Sequence, residues 1–273
     1  MTHRILIVTA VAAEADSVAT GLASAAQGTA PGTAPDAAPR TESVPLPGGF
    51  ALRRLTLPGR TDGLVVDVLV AGVGPAMAAA ATATALAVAA SAFATGAPAP
   101  YDLVVSAGIA GGFLPRAPIG TVVVSDAVVA ADLGAETPDG YLPVDRLGFG
   151  RSAHPVAAPL TTALAGALGA AGVPYAVGPV LTVSTVTGTA RRAAELAERH
   201  PGAAAEAMEG FGVAEAAAAH GVPVVEIRAV SNAVGPRDRA AWRIGDALAA
   251  LAAAFRTLAP HALVSAEPLE PPS

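Results

Sequence analysis

The sequence contains no cysteine, which excludes a disulfide framework, a thiolate metal site and a cysteine nucleophile, and suits a reducing compartment. Charge is scarce as well: 14% of the 273 residues are Asp, Glu, Lys or Arg, and the formal net charge is -6. With a pI near 5.3 the chain offers no basic face on which a phosphate backbone would release counterions, so nucleic acid is not an expected partner. The five histidines, at 3, 154, 200, 220 and 261, form no i, i+4 pair and no spacing with Asp or Glu that suits zinc or iron; neither a metal nor a cofactor is expected. No G-x-S-x-G elbow and no GK[ST] loop occurs, which argues against a serine hydrolase of that type and a nucleoside triphosphatase. The first strand-to-helix turn, Thr9 to Asp16, holds no glycine, whereas a dinucleotide fingerprint requires its GxGxxG there.

What is present is a chain that is 53% hydrophobic, long enough to bury a sizeable core and too apolar to be mainly disordered. The opening MTHRILIVTAVAAEAD carries Glu14 and Asp16 where a secretory signal would continue apolar, so a cytoplasmic N-terminus is expected. No charged residue lies between Asp67 and Asp102, a length that passes for a membrane span. Between Ala76 and Ala97, however, the only large apolar residues are Met77, Leu86, Val88 and Phe93. An alanine-rich helix packed on a sheet is expected there, with no membrane partner.

Valine-, isoleucine- and leucine-rich runs predict strands over 4–11, 51–57, 64–71, 102–107, 121–129, 175–186 and 222–231, and several are apolar on both faces. Helices are predicted over 75–95, 155–171, 189–200, 210–220 and 239–258. The expectation is an α/β fold: one three-layer domain over 1–265 with a central mixed β-sheet flanked by helices. A flexible insertion is expected at about 24–49, rich in Pro, Ala and Gly, and a disordered tail at 266–273.

In such sheets ligands bind beyond the carboxyl ends of the strands, which directs attention to TAVAAEAD at 9–16, AGVGPA at 71–76, SAGIAGG at 106–112, EAMEGFG at 206–212 and VSNAVGPRDR at 230–239. Each has a bland reading. Gly72 and Gly74 permit a tight turn as readily as a ligand's approach, Glu14 complements a helix dipole, Met208 is an ordinary core filler, Asn232 suits a turn, and Asp238 suits an N-cap of the last helix.

The ordered set is more telling than any member of it. Ala10 four residues before Glu14, AGVG at 71–74, SAGIAGG, the strand VGPVLTVST, AMEG at 207–210 and IRAVSN at 227–232 together resemble the 5′-methylthioadenosine/S-adenosylhomocysteine nucleosidases of the nucleoside phosphorylase superfamily. The resemblance implies that Glu14 activates water, and that Met208 and Glu209 hold the ribose, Glu209 through its hydroxyls. It further implies substrate contacts at Ala71, Gly72, Gly108 and Ala207, with the main chain of Val186, Thr187 and Thr189 along the base and Phe113 or Phe211 stacked near it.

Adenine-specific members carry an aspartate where this chain has Asn232. An asparagine amide offers a donor to a six-position oxygen and a carbonyl to a protonated ring nitrogen, which matches hypoxanthine rather than adenine. Ser106 stands where phosphorylases of the superfamily hold phosphate with an arginine, and 14–24 carries no cation, so hydrolysis is favoured over phosphorolysis. Within the family the AMEGFG turn and the segment after Asn232 are most similar to the futalosine hydrolases, which release hypoxanthine in menaquinone biosynthesis. A small-molecule nucleoside is the implied substrate, and a homodimer or higher homo-oligomer the implied assembly. Arg237 and Arg239 are candidates to pair with a substrate carboxylate. The alternatives are an adenine-nucleoside nucleosidase, a purine nucleoside phosphorylase and a catalytically silent nucleoside-binding protein. Ala207 and Ala71 depart from the adenine-specific pattern, which has a second glutamate and a serine at those places.

Overall fold

The computed structural model describes residues 3–27, 40–56, 64–94, 100–258 and 263. In chain order they form β1 (Arg4–Thr9), α1 (Ala12–Gln27), β2 (Arg40–Pro45), β3 (Ala51–Thr56), β4 (Val65–Val70), α2 (Pro75–Ala94), β5 (Leu103–Gly112) and β6 (Val122–Ala130). The small strands β7 (Gly134–Thr137), β8 (Gly140–Pro143) and β9 (Ala153–Pro155) follow, then α3 (Ala158–Ala170), β10 (Tyr175–Thr182) and α4 (Ala190–Arg199). The chain continues through β11 (Ala205–Ala207), α5 (Gly210–Ala219), β12 (Val224–Ala233) and α6 (Ile244–Leu258).

Every residue of β1 is buried, because both of its faces are covered. Ile5 and Ile7 join a core with Val18 and Leu22 of α1 and Leu251 and Phe255 of α6, while Leu6 and Val8 join one with the alanines of α2 and Val213 of α5. Strand side chains alternate, so an unbroken apolar run is what a middle layer requires. The alanine richness of α2 has the same origin. Ala78, Ala81, Ala85 and Ala89 form its buried face, and small side chains let the helix lie close: a Cβ on Gly212 of α5 would stand 2.0 Å from the Pro75 carbonyl oxygen. By length and composition α2 alone among the described helices could cross a membrane; here its alanine face packs against protein.

The main sheet runs β11-β10-β6-β12-β5-β1-β4-β3-β2, with β9 beside β6. Parallel pairs dominate its centre, β4 to β1, β1 to β5 and β5 to β12, and β12 to β6 is antiparallel, so the sheet is mixed. One further pairing shapes the molecule. β11 also pairs antiparallel with the end of β5, Ala205 opposite Gly112 and Glu206 opposite Gly111, so β5, β12, β6, β10 and β11 close into a ring.

Three expectations change. SAGIAGG, read as a turn after a strand, lies within β5, which runs on to Gly112; its glycines keep the strand edge clear of neighbouring side chains. The expected insertion is built into the fold at both ends, 24–27 within α1 and 40–45 as β2 paired with β3, while 28–39 and the tail 266–273 lie outside the described residues. Asp238 caps the short turn Arg239–Ala241 by accepting from the Ala240 amide at 3.1 Å, and α6 starts only at Ile244.

Candidate active site

The site forms where β5 changes partners. Along one edge β5 pairs with β1 as far as Ser106 and with β11 from Gly111, and the stretch between pairs with neither. The amide of Ile109 in that stretch donates instead to Glu14 Oε1 at 2.9 Å. Glu14 Oε2 accepts from the amides of Ala10 and Val11 at 3.0 and 3.2 Å. Three main-chain donors from two elements thus fix a buried carboxylate at the end of β1. This is the topological switch point at which open sheets bind ligands.

A cavity of about 270 Å³ opens there. Glu14, Glu209 and Asn232 line it together with Ala207, Met208, Val186 and Thr187, so the first turn of α1, β11, β12 and the loop after β10 converge there. Among the described residues no Lys or Arg lines it. Among the described residues no group of three or more His, Cys, Asp or Glu side chains is placed to hold a metal ion.

Glu209 is buried and held from both sides. Its Oε1 accepts from the Gly74 amide at 3.2 Å and its Oε2 from Arg228 Nη2 at 3.1 Å. Gly74 and Gly72 both take positive φ, 94° and 92°, which is how the turn after β4 aims an amide at the carboxylate. Arg228, 1% exposed, also donates from Nε to Glu226 Oε1 at 2.7 Å and from Nη2 to Ser106 Oγ at 3.2 Å. Burial works against its charge, but the carboxylates of Glu226, Glu209 and Glu14 outweigh that and push its pKa up. Burial likewise pushes the Glu226 carboxyl up, against the pull of Arg228. A Cβ at Gly210 would lie 2.0 Å from Glu226 Oε2, which is the physical reason for glycine directly after Met208 and Glu209.

Asn232 follows a register shift in β12 between Val230 and Asn232, a bulge that re-aims its side chain. Its Oδ1 accepts from Ser231 Oγ at 2.9 Å and its Nδ2 donates to the Ala233 carbonyl at 3.0 Å. One amide proton and one carbonyl lone pair remain for a ligand.

Four of the expected contact residues do not line the cavity. Ala71 is buried at the end of β4, where its amide donates to the Thr9 carbonyl. Gly72 lies under Met77, and Thr189 is the N-cap of α4, accepting from the Arg192 amide at 3.2 Å. Gly108 stands behind Glu14 and Arg228. Phe113 and Phe211 are not in the wall either: Phe113 packs with Leu181 and Leu196, and Phe211 packs on His154 with ring centroids 5.3 Å apart. The aromatic in the wall is Trp242. Arg237 and Arg239 lie over its ring, their guanidinium carbons 5.3 and 6.0 Å from the centroid.

Sequence reasoning missed Arg228, Glu226 and Glu206. Strand register supplies the signal for the first two: in β12, VEIR places Glu226 and Arg228 on one face of a strand otherwise apolar, and paired charges inside a buried strand need a partner. Glu206, buried in the cavity wall, accepts from the Thr187 amide at 2.9 Å and from its hydroxyl at 2.5 Å. Burial raises its carboxyl above the usual range, against those two hydrogen bonds.

The family model for the Phosphorylase superfamily matches residues 4–263, and the chain belongs to that superfamily. Within it the chain groups with the futalosine hydrolases. It is 58% identical over 257 residues to the futalosine hydrolase of Streptomyces coelicolor, covering 94% of this chain and 95% of that one. To the futalosine hydrolase of Acidothermus cellulolyticus it is 46% identical over 258 residues, covering 94% and 91%. In three dimensions it resembles the native structure of futalosine hydrolase of Helicobacter pylori strain 26695, with a TM-score of 0.72 over 94% of this chain and 97% of that one at 17% identity. The last comparison concerns the fold, an α/β architecture with a central mixed sheet.

Proposed function

We propose that this protein hydrolyses the N-glycosidic bond of futalosine, releasing hypoxanthine and dehypoxanthine futalosine, as a step of menaquinone biosynthesis. The observation that carries the reading is the composition of the cavity wall. Among the described residues it offers carboxylates and an amide but no cation, and Arg228 behind it is already paired with Glu226 and Glu209. A phosphate dianion has no free charge partner in such a site, whereas water needs only a base and an electron-deficient carbon.

Glu14, held by three amides, takes a proton from water as the bond from ribose to base breaks. Glu209 faces the sugar and stabilises the oxocarbenium-like charge, an electrostatic effect worth on the order of a hundredfold to a thousandfold in rate. Arg228 fixes the orientation of Glu209. The water oxygen bonds to the anomeric carbon as the base departs with the bonding pair; Asn232 donates its free amide proton to the six-position oxygen, where the hypoxanthine anion carries its charge, and its carbonyl accepts from a ring nitrogen once that nitrogen has taken up a proton from solvent. Val186, Thr187, Ala207 and Met208 complete the contacts from the wall. The same reading makes the protein a cytoplasmic homodimer or higher homo-oligomer; Val73, 56% exposed, and Met77, 47% exposed, beside the cavity, support a partner subunit there.

The test is release of free base from futalosine and from adenosine-type nucleosides, with and without phosphate. Hypoxanthine from futalosine, indifferent to phosphate, is the expected result. Adenine release would overturn the role of Asn232, phosphate dependence would restore phosphorolysis, and tight binding with no release would make the chain a nucleoside-binding protein.

A further inference from the structure

Glu226 is a fully buried carboxylate with no part in the steps above. It lies in the first half of β12, behind the cavity and outside its wall. Its Oε1 accepts from Arg228 Nε at 2.7 Å and stands 3.5 Å from Ser106 Oγ, while its Oε2 has no hydrogen-bond partner among the described residues. The guanidinium it meets is shared. Arg228 Nη2 binds Glu209, and Nη1 donates to the Ile109 carbonyl at 3.4 Å, while the Ile109 amide donates to Glu14. The Cβ position of Gly108 is 2.7 Å from Arg228 Nη1 and 2.5 Å from Glu14 Oε1, so guanidinium and base stand within about 5 Å, the range over which an opposite charge makes a carboxylate a weaker base. One cation thus faces three carboxylates, from α1, from the turn before α5 and from β12. Around Glu226, β5 and β6 present the hydroxyls of Ser106 and Ser125, the latter accepting from the Glu226 amide at 2.8 Å. Among the described residues the one other titratable group lining the cavity with Glu14 and Glu209 is Glu206.

We propose that Glu226 is a positioning residue that acts through Arg228: its negative charge offsets the guanidinium and so keeps Glu14 a strong enough base to take a proton from water. The inference rests on the hydrolysis proposed above. Arg228 has two effects that conflict. It holds Glu209 by a charged hydrogen bond, yet uncompensated it would stabilise the anionic form of Glu14 and blunt its reactivity. A carboxylate at Nε, away from the cavity, resolves the conflict without touching Glu14 or Glu209. The arrangement is costly, because Glu226 is buried with one oxygen unpaired and obliges glycine at 210, where a Cβ would stand 2.0 Å from Oε2 and 2.5 Å from Oε1. A neutral acceptor at Nε would orient Arg228 equally well, so it is the charge of Glu226 that needs a function.

The test compares the pH dependence of kcat/KM for futalosine in wild type, in Glu226→Gln, which keeps an acceptor for Nε without the charge, and in Glu226→Asp, which keeps the charge. In the Gln variant kcat/KM is expected to fall about tenfold at neutral pH. Its acid limb is expected to move about one pH unit lower, so the ratio of variant to wild type rises as pH falls. Glu226→Asp is expected to keep the wild-type limb. An unmoved limb in Glu226→Gln, whatever the size of the loss, would make Glu226 a packing residue and overturn the proposal, as would a limb moved equally in both variants. If wild type releases no base, the hydrolase reading fails instead. Carbon-13 NMR titration of the Glu14 carboxyl, assigned by its loss in Glu14→Gln, then judges Glu226: a lower midpoint in Glu226→Gln upholds the coupling, and an unchanged one overturns it.

Discussion

A Cβ on Gly108 would stand 2.5 Å from Glu14 Oε1 and 2.7 Å from Arg228 Nη1, so the carboxylate and the guanidinium of the site both occupy space that any other residue at 108 would claim. Gly108 shapes the site from behind while lying outside its wall. Gly108→Ala is expected to leave the far-ultraviolet circular dichroism spectrum unchanged and to cut kcat/KM for futalosine at least about a hundredfold, since displacement of a reacting group by about 1 Å costs that much. Activity within a few-fold of wild type would show that Glu14 is free to relocate.

Glu14→Gln removes the base and also places an amide N–H against a shell made of three N–H donors. Turnover is expected to fall by about 10²–10⁴-fold, while calorimetric affinity for futalosine, which depends on Glu209, Asn232 and the apolar wall, is largely kept. A variant retaining most of its rate would remove Glu14 from the role of base.

Far from the cavity, Asp67 of β4 is fully buried and accepts from Arg4 at 2.9 Å, from Arg54 at 2.9 Å and from the Tyr101 hydroxyl at 2.6 Å. Burial works to raise its carboxyl, but the bonds from Arg54, Tyr101 and Arg4 outweigh it and hold the pKa below the usual carboxylate value. A carboxyl depressed on folding contributes stability that is complete above its unfolded pKa of about 3.9 and is lost as pH falls through the folded value. Asp67→Asn is expected to cost about 3–5 kcal/mol at pH 7 by leaving two guanidiniums less well compensated. The gap in Tm between the two proteins should narrow below about pH 4; a gap that stays constant down to acid pH would mean that the charge of Asp67 is not what stabilises the cluster.

Arg237 lies over Trp242, and its Cγ is 3.8 Å from where a Cβ of Gly188 would be, which places it beside the loop that carries Val186 and Thr187. If its guanidinium meets the carboxylate of futalosine, Arg237→Ala weakens binding of futalosine by about tenfold or more and leaves inosine, which lacks that group, nearly unaffected. Equal losses for the two would refer the effect to packing on Trp242.

Much of the architecture was legible because strand and helix periods are local properties. The runs at 4–9, 65–70 and 224–233 declare strands covered on both faces, and the alanines of 75–94 declare a helix lying close to a neighbour. The short strands β7, β8, β9 and β11 were not legible, since strands of three or four residues carry too little periodicity and owe their form to partners far away in the chain. β11 is the instructive case: AEA has no strand signature, and only its pairings with β10 and β5 make it one.

By itself the sequence determined which groups are available: Glu14, Glu209 and Asn232 at strand ends, no cysteine, and glycines where backbones and side chains approach closely. Only the tertiary structure decided their use. It seats Glu14 on three amides, sets Arg228 behind Glu209 with Glu226 to balance it, moves Gly108 and Thr189 out of the wall, and brings Glu206 into it. The bond from Ile109 to Glu14 alone spans 95 positions of the chain, and such relations depend on which strands pair and in what register, which no local pattern of side chains encodes.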